Sequence, residues 1–258
     1  MSDEWLTTED ELRLPARWWR TGEAPSVVVL VHGFAAHRAE PAVVATAEAL
    51  HGAGYDVLAY DARGHGEAEG LCTLGHLERL DVAAAVTRAA RDHESIVVVG
   101  ASMGAVATLR FAASDAPLAT RLHGVVTISS PARWRAPRTP RSAAAALLTQ
   151  TAPGRALARR TMNVRLARGW SSPESPVELV RSIEVPLALV HGRRDRFIVH
   201  DEAAVLAGHA VGPVRLEVVD EMGHAFDPRS HGPVGRALEW CLKAQPGPLT
   251  SPDDARPA

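Results

Sequence analysis

Short apolar runs rich in β-branched residues recur along the chain, separated by longer segments in which apolar residues return every three or four positions. The runs cover Ser26–Val31, Asp56–Ala59, Ile96–Val99, Val125–Ile128, Leu187–Val190 and Val214–Val219. Most are apolar at consecutive positions, which predicts central strands of a parallel sheet covered on both faces. Between them the spacing predicts helices over Pro41–Ala53, Leu77–His93, Met103–Ala113, Asp201–Ala210 and Gly235–Lys243. Strand and helix in alternation imply right-handed crossovers and one open, twisted sheet, an α/β fold. Ahead of this rhythm, Glu11–Leu14 and Ala16–Arg20 alternate polar and apolar residues around Pro15 and predict an antiparallel edge pair.

The rhythm breaks between Pro131 and Glu184, where 54 residues separate two strands. Segments 141–150 and 155–167 read as helical, so the expected organisation is a core of residues 1–130 and 185–245, an inserted helical cap over 131–184, and a disordered Pro-rich tail over 246–258. Charge sharpens this division. The formal net charge of the 258 residues is −2, but residues 131–184 carry +7 and the remainder −9. A near-neutral total gives no reason to expect nucleic acid as a partner. The two cysteines, Cys72 and Cys241, lack metal or redox spacing and read as reduced thiols of a cytoplasmic protein. No apolar run approaches the roughly twenty residues that span a bilayer, and the N-terminus has no signal-peptide pattern. Neither a metal nor a cofactor is expected, because the histidines lack zinc-type spacing with Cys or Glu and no phosphate-cradling motif occurs.

The strongest chemical signal is Ile96-Val97-Val98-Val99-Gly100-Ala101-Ser102-Met103-Gly104, a β run that enters Gly-x-Ser-x-Gly and leaves as an alanine-rich helix. Gly100 and Gly104 suit a strand-to-helix turn too tight for side chains at those positions, with Ser102 exposed at its tip as a nucleophile. A serine hydroxyl needs a base, and the base needs an orienting acid. His224 follows the last predicted strand, and Asp195 follows the strand before it, so both side chains land on the carboxyl edge of the sheet. Asp220 and Asp227, though nearer His224 in sequence, read as surface or loop-capping residues. The oxyanion hole would take the Met103 N–H and the Phe34 N–H, with Gly33 turning the chain. His32 reads as a buried residue that orients this loop.

Together, His32-Gly33-Phe34, Asp61-Ala62-Arg63-Gly64-His65-Gly66, the elbow at Ser102, His191-Gly192 with Asp195, and Gly223-His224-Ala225-Phe226 resemble the α/β-hydrolase superfamily from Glu9 to Lys243. The resemblance implies a mostly parallel eight-stranded sheet whose second strand is antiparallel, with a cap after the sixth strand. Its serine esterase, monoacylglycerol-lipase-like and thioesterase-like branches are the most similar. Ala105 and Ala68 depart from residues frequent in those relatives, Gly and Ser respectively, which bears on subfamily. The implied activity is hydrolysis of a small-molecule acyl ester or thioester through an acyl-enzyme on Ser102. A histidine base ties that activity to neutral imidazole and predicts its loss below about pH 6 to 7. A cofactor-free perhydrolase or haloperoxidase-like reaction uses the same residues, and a non-catalytic binding protein on this fold is the alternative of a different class. Trp134, Leu148, Leu157, Met162, Trp170 and Phe197 are candidates for the substrate pocket.

Overall fold

All six residues of the run Ser26–Val31 are buried, and their side chains divide between the two faces of a sheet: Val27, Val29 and Val31 enter one core, Val28 and Leu30 the other. A strand apolar at every position is thus the signature of a sheet with helices on both sides. The computed structural model describes residues 1–22, 24–134, 139–169 and 173–244. Eight strands form its sheet: β1 (Ser2–Thr7), β2 (Arg13–Trp19), β3 (Ser26–Val31), β4 (Asp56–Tyr60), β5 (Ser95–Ala101), β6 (Gly124–Ile128), β7 (Leu187–Gly192) and β8 (Val214–Val219). Their order is β1-β2-β4-β3-β5-β6-β7-β8, with β2 antiparallel to both neighbours and β3 to β8 mutually parallel.

Helices α2 (Glu78–Ala89) and α3 (Met103–Ala112) bury Val82, Val86 and Leu109 in the first core, and α7 (Asp201–Ala207) adds Leu206. The second core is closed by α1 (Pro41–Gly52), through Val43, Ala47 and Leu50, and by α8 (His231–Lys243), through Val234, Leu238 and Cys241. Helix α8 begins four residues before the expected Gly235, because Pro233 sits in its first turn, where a missing N–H breaks no helical bond. The edge pair also differs from expectation. Residues 13–19 form one continuous strand and pair with Ser2–Thr7, a segment whose mixed polarity hides it. Pro15 is tolerated within β2 because its carbonyl accepts the Asp61 N–H just past the end of β4, where the ladder has finished.

Between β6 and β7 lie α4 (Pro140–Gln150), α5 (Ala152–Met162) and the short α6 (Pro176–Leu179). Thr139 caps α4 and Thr151 caps α5 through their side-chain oxygens, and no residue of α4 is buried. Helix α5 stops at Met162 instead of Ala167, since Asn163 turns left-handed at φ 53°. The chain then runs extended against Cys72, with Cys72 N–H donating to Arg165 O (2.7 Å) and Ala167 N–H to Cys72 O (2.9 Å). Residues 177–183 return to the first core through Val177, Leu179, Val180 and Ile183. Residues 246–258, expected to be disordered, lie outside the described residues. Among the described residues no helix is long and apolar enough to cross a membrane.

Candidate active site

Ser102 follows the last residue of β5 and precedes the first of α3, with φ 52° and ψ −114°. Such a backbone costs a non-glycine residue on the order of 1–3 kcal/mol and persists only where its surroundings enforce it. Here they do. The Ser102 N–H donates to Ile128 O at 2.9 Å, and α3 leaves so steeply that a Cβ at Gly104 would collide with the carbonyls of Val31 and His32. A Cβ at Gly100 would lie 2.5 Å from Gly104 O. The elbow therefore needs both glycines for space.

The loop after β3 comes up against this turn. A Cβ built on Gly33 would sit 3.3 Å from Ser102 Cβ, so the Gly33-Phe34 backbone flanks the serine directly. His32 sets that loop. Its Nδ1 donates to Gly33 O (2.8 Å), and its Nε2 accepts the Ala62 N–H (2.9 Å). Burial pushes its pKa down, which keeps the ring neutral as this pattern requires. The Phe34 ring meets His65 edge-on, centroids 5.8 Å apart. Burial drives His65 down to about 3, so this layer beneath the loop is uncharged at neutral pH. No hydrogen bond among the described residues engages the Phe34 N–H. The Met103 N–H opens α3 and has no intrahelical acceptor.

His224 and Asp195 meet across 29 residues of sequence: His224 Nδ1 lies 2.7 Å from Asp195 Oδ2. An ionised carboxylate only accepts, so Nδ1 carries the proton and Nε2 is left as a proton acceptor. The Asp195 side chain is fully buried, which opposes its ionisation, yet hydrogen bonds from His191, His224 and the Ile198 N–H outweigh burial. Its carboxyl is held well below the usual carboxylate range. Oδ1 accepts the N–H groups of Phe197 (2.8 Å) and Ile198 (2.9 Å), which fixes the carboxylate in place.

The His224 loop is tied to the elbow through the end of β6. Ser102 N–H bonds Ile128 O, and the next residue, Ser129, accepts the Ala225 N–H on its Oγ at 3.1 Å. Met222 O accepts the Arg194 N–H at 3.0 Å, joining the His224 loop to that of Asp195. Sequence reasoning missed both Ser129 and the second support for Asp195, His191 Nε2 at 3.5 Å from Oδ2. His191 carries a visible signal, its place at the end of β7, whereas Ser129 lies 96 residues from its partner with no local mark. Asp220 is exposed and paired with Arg193 (2.7 Å), and Asp227 caps residues 228–230.

Two cavities border this site and share Phe197, whose ring packs on His224 at 4.9 Å. One, of about 900 Å³, is lined by Phe34 and by α4 and α5, including Leu148, Leu157 and Met162. The other, of about 540 Å³, holds Trp134 and runs down to Cys72, whose Sγ is 3.6 Å from Met103 Sδ beside the elbow. Trp170 lies outside the described residues. Among the described residues no group of three His, Cys, Asp or Glu side chains is arranged to hold a metal.

This sheet, with its strained serine after β5 and a histidine–carboxylate pair on the loops after β7 and β8, is that of an α/β hydrolase. Residues 22–175 match the family described as serine aminopeptidase, S33, and the chain belongs to that family. No curated protein matches by sequence. Among solved structures, the Pyrococcus furiosus esterase Pf2001 is 26% identical, with a TM-score of 0.72 over 92% of this chain and 90% of that one. An esterase from Exiguobacterium antarcticum shares the fold at 16% identity, with a TM-score of 0.71 over 93% of this chain and 98% of that one. The α/β hydrolase GrgF from a Penicillium species does so at 16% identity and a TM-score of 0.72, over 94% and 98%. Membership of the family and likeness to an esterase across nearly the whole of both chains mark this protein as a hydrolase.

Proposed function

We propose that this hydrolase cleaves carboxylic esters, including thioesters, through an acyl-enzyme on Ser102. The observation that carries the reading is the 2.7 Å contact between a buried, ionised Asp195 and His224 Nδ1, on loops tied to the strained Ser102 turn. His224 Nε2 accepts the Ser102 proton as Oγ attacks the carbonyl carbon, and the N–H groups of Phe34 and Met103 receive the oxyanion. The protonated imidazole then gives its proton to the departing alkoxide or thiolate. Water repeats the sequence on the acyl-enzyme, returning Ser102 and releasing the acid. Asp195 holds the imidazole in the tautomer that leaves Nε2 free.

Helices α4 and α5 act as a lid on this core and form a mainly apolar wall over Phe34. Likeness to a Pyrococcus furiosus protein described as an esterase supports an ester, and not a peptide, as the class of substrate. A fluorophosphonate probe tests the nucleophile: labelling of the wild type and its loss in Ser102→Ala are expected. Undiminished labelling of Ser102→Ala, or equal turnover of p-nitrophenyl esters by both proteins, overturns the assignment.

A further inference from the structure

Arginines are distributed unevenly between paired and unpaired states. Outside residues 131–184 they are commonly matched, as in Arg17–Asp3, Arg63–Asp81, Arg193–Asp220 and Arg236–Glu217. Between 131 and 184 eight arginines are described, and none of them forms an ion pair with a described residue. Three of these eight, Arg133, Arg155 and Arg168, line the 540 Å³ cavity that descends to Cys72, which touches Met103. Arg133 and Arg155 are partly buried and Arg168 is exposed. Arg155 donates to Gln150 O at 3.1 Å, which leaves its charge uncompensated by any described carboxylate. One carboxylate lines the cavity, Glu202, and one of its oxygens accepts the buried Ala132 N–H at 3.0 Å. The cavity is therefore net cationic, with mixed walls in which Thr149 and Gln150 are polar members. Across Phe197, the 900 Å³ cavity has mainly apolar walls, and its one charged residue, Arg141, lies over the Phe197 ring at 5.5 Å.

We infer that the substrate is an amphiphilic ester with one hydrocarbon arm, seated beneath α4 and α5, and one oxyanion-bearing arm, held by Arg133, Arg155 and Arg168. The inference rests on the serine-hydrolase reading above. The cavities flank the elbow on two sides: Phe34, next to the Gly33 that meets Ser102, lines one, and Cys72, which touches Met103, lines the other, so an ester whose arms fill both places its bond over Ser102. Guanidinium groups suit such an arm because they bind carboxylate or phosphate oxygens in paired, charge-assisted hydrogen bonds. A cationic cavity beside a hydrocarbon slot then discriminates by charge on one arm and by length on the other.

Two matched ester pairs test this. Carboxymethyl hexanoate against its methyl ester places the charge on the leaving alcohol, and monohexyl succinate against hexyl methyl succinate places it on the acyl side, with hexanol release measured. The expected result is a preference in kcat/KM of about tenfold or more for the anionic member of one pair, the size of one charge-assisted hydrogen bond. That preference shrinks in about 1 M salt, where charges act over only about 3 Å. It also falls at least about fivefold, as a ratio of anionic to neutral turnover by the same protein, in R133Q/R155Q/R168Q. The ratio is insensitive to how much of the variant folds. Arg121→Gln, an exposed arginine ahead of β6 at the opposite sheet edge, keeps the wild-type ratio. Hydrolysis without anionic preference in either pair, or a preference that the triple variant retains, overturns the inference and leaves the Ser102 assignment standing. No hydrolysis of any of the four overturns both.

Discussion

Ser102 concentrates the conflict between stability and chemistry at one residue. Its φ of 52° is forced by the Ile128 bond and by the steep departure of α3, and nothing about the hydroxyl relieves it. Ser102→Gly is therefore expected to abolish ester turnover while raising stability by about 1 kcal/mol, the released strain less the extra chain entropy of glycine. Thermal melts alongside p-nitrophenyl ester assays check both halves, and a destabilised variant contradicts the strain argument. Asp195→Asn is expected to lower kcat by about four orders of magnitude with little change in KM, because an amide does not enforce the Nδ1–H tautomer of His224. The same carboxylate links folding to acid. Its folded pKa lies below the roughly 3.9 of an unfolded aspartate, so its contribution is complete above about pH 4 and is lost as pH falls through the folded value. Wild type should thus lose stability more steeply than Asp195→Asn below about pH 4 in denaturant titrations. Ser102, Asp195 and His224 were legible because each follows a readable strand. Ser129 was not, since its value lies in a contact with Ala225, 96 residues away, that no local pattern encodes. His191 stands four residues before Asp195 and was visible as part of that motif but not as a support of the carboxylate.

At the scale of elements, helices that pack on the sheet and helices that do not are governed by different physics. Strands β3 to β8 and helices α1, α3 and α7 were readable to within a few residues because burial on a sheet imposes a period on the sequence. The first strand escaped notice because only Leu6 of its six residues is buried, leaving a mainly polar string that pairs through backbone. Helices α4 and α5 carry apolar residues at helical spacing, but those residues face a cavity: Leu147 is 66% exposed and Leu157 53%. Their spacing alone does not distinguish packing from pocket lining. Exposure does, and it gives a prediction. In the doubly substituted L147Q/L157Q protein the melting temperature should stay within about 2 °C of wild type, since exposed substitutions away from the core cost little. KM for octanoyl esters should rise by about tenfold and that for acetyl esters little, as each buried methylene is worth about 0.8 kcal/mol. Equal effects on short and long esters would show that α4 and α5 do not hold the acyl group.

Across the whole molecule, the Asp-x-Arg-Gly-His-Gly run proves to be structural, and its arginine fastens three distant parts of the fold. Arg63, only 2% exposed, reaches from the end of β4 to Asp10 in the β1–β2 turn and to Asp81 on α2. Its guanidinium lies 2.8 Å from Asp10 Oδ2 and 2.7 Å from Asp81 Oδ1, and the Arg63 backbone N–H donates to Asp81 Oδ2 at 2.8 Å. Burial disfavours the Arg63 charge, but hydrogen bonds to Asp10 and Asp81 more than restore it. Burial likewise pushes the Asp81 carboxyl up, to about 7, against the pull of Arg63. Such a cluster is worth little against an apolar replacement of the same shape, yet breaking it from one side is costly because a charge is left buried. Arg63→Met should therefore lower stability by about 3–5 kcal/mol, and R63M/D81L should recover a substantial part of that loss in urea titrations. The pH dependence carries the same logic. Without its cation, Asp81 is protonated in the folded variant at a pH where the unfolded carboxyl, near 3.9, has released its proton. Folding of Arg63→Met takes up this proton to a higher pH than wild type, whose folded Asp81 lies near 7, so its deficit against wild type grows as pH rises above about 7. A deficit independent of pH, or a double variant no more stable than the single one, would mean that Arg63 acts through packing and not by holding a buried carboxylate charged.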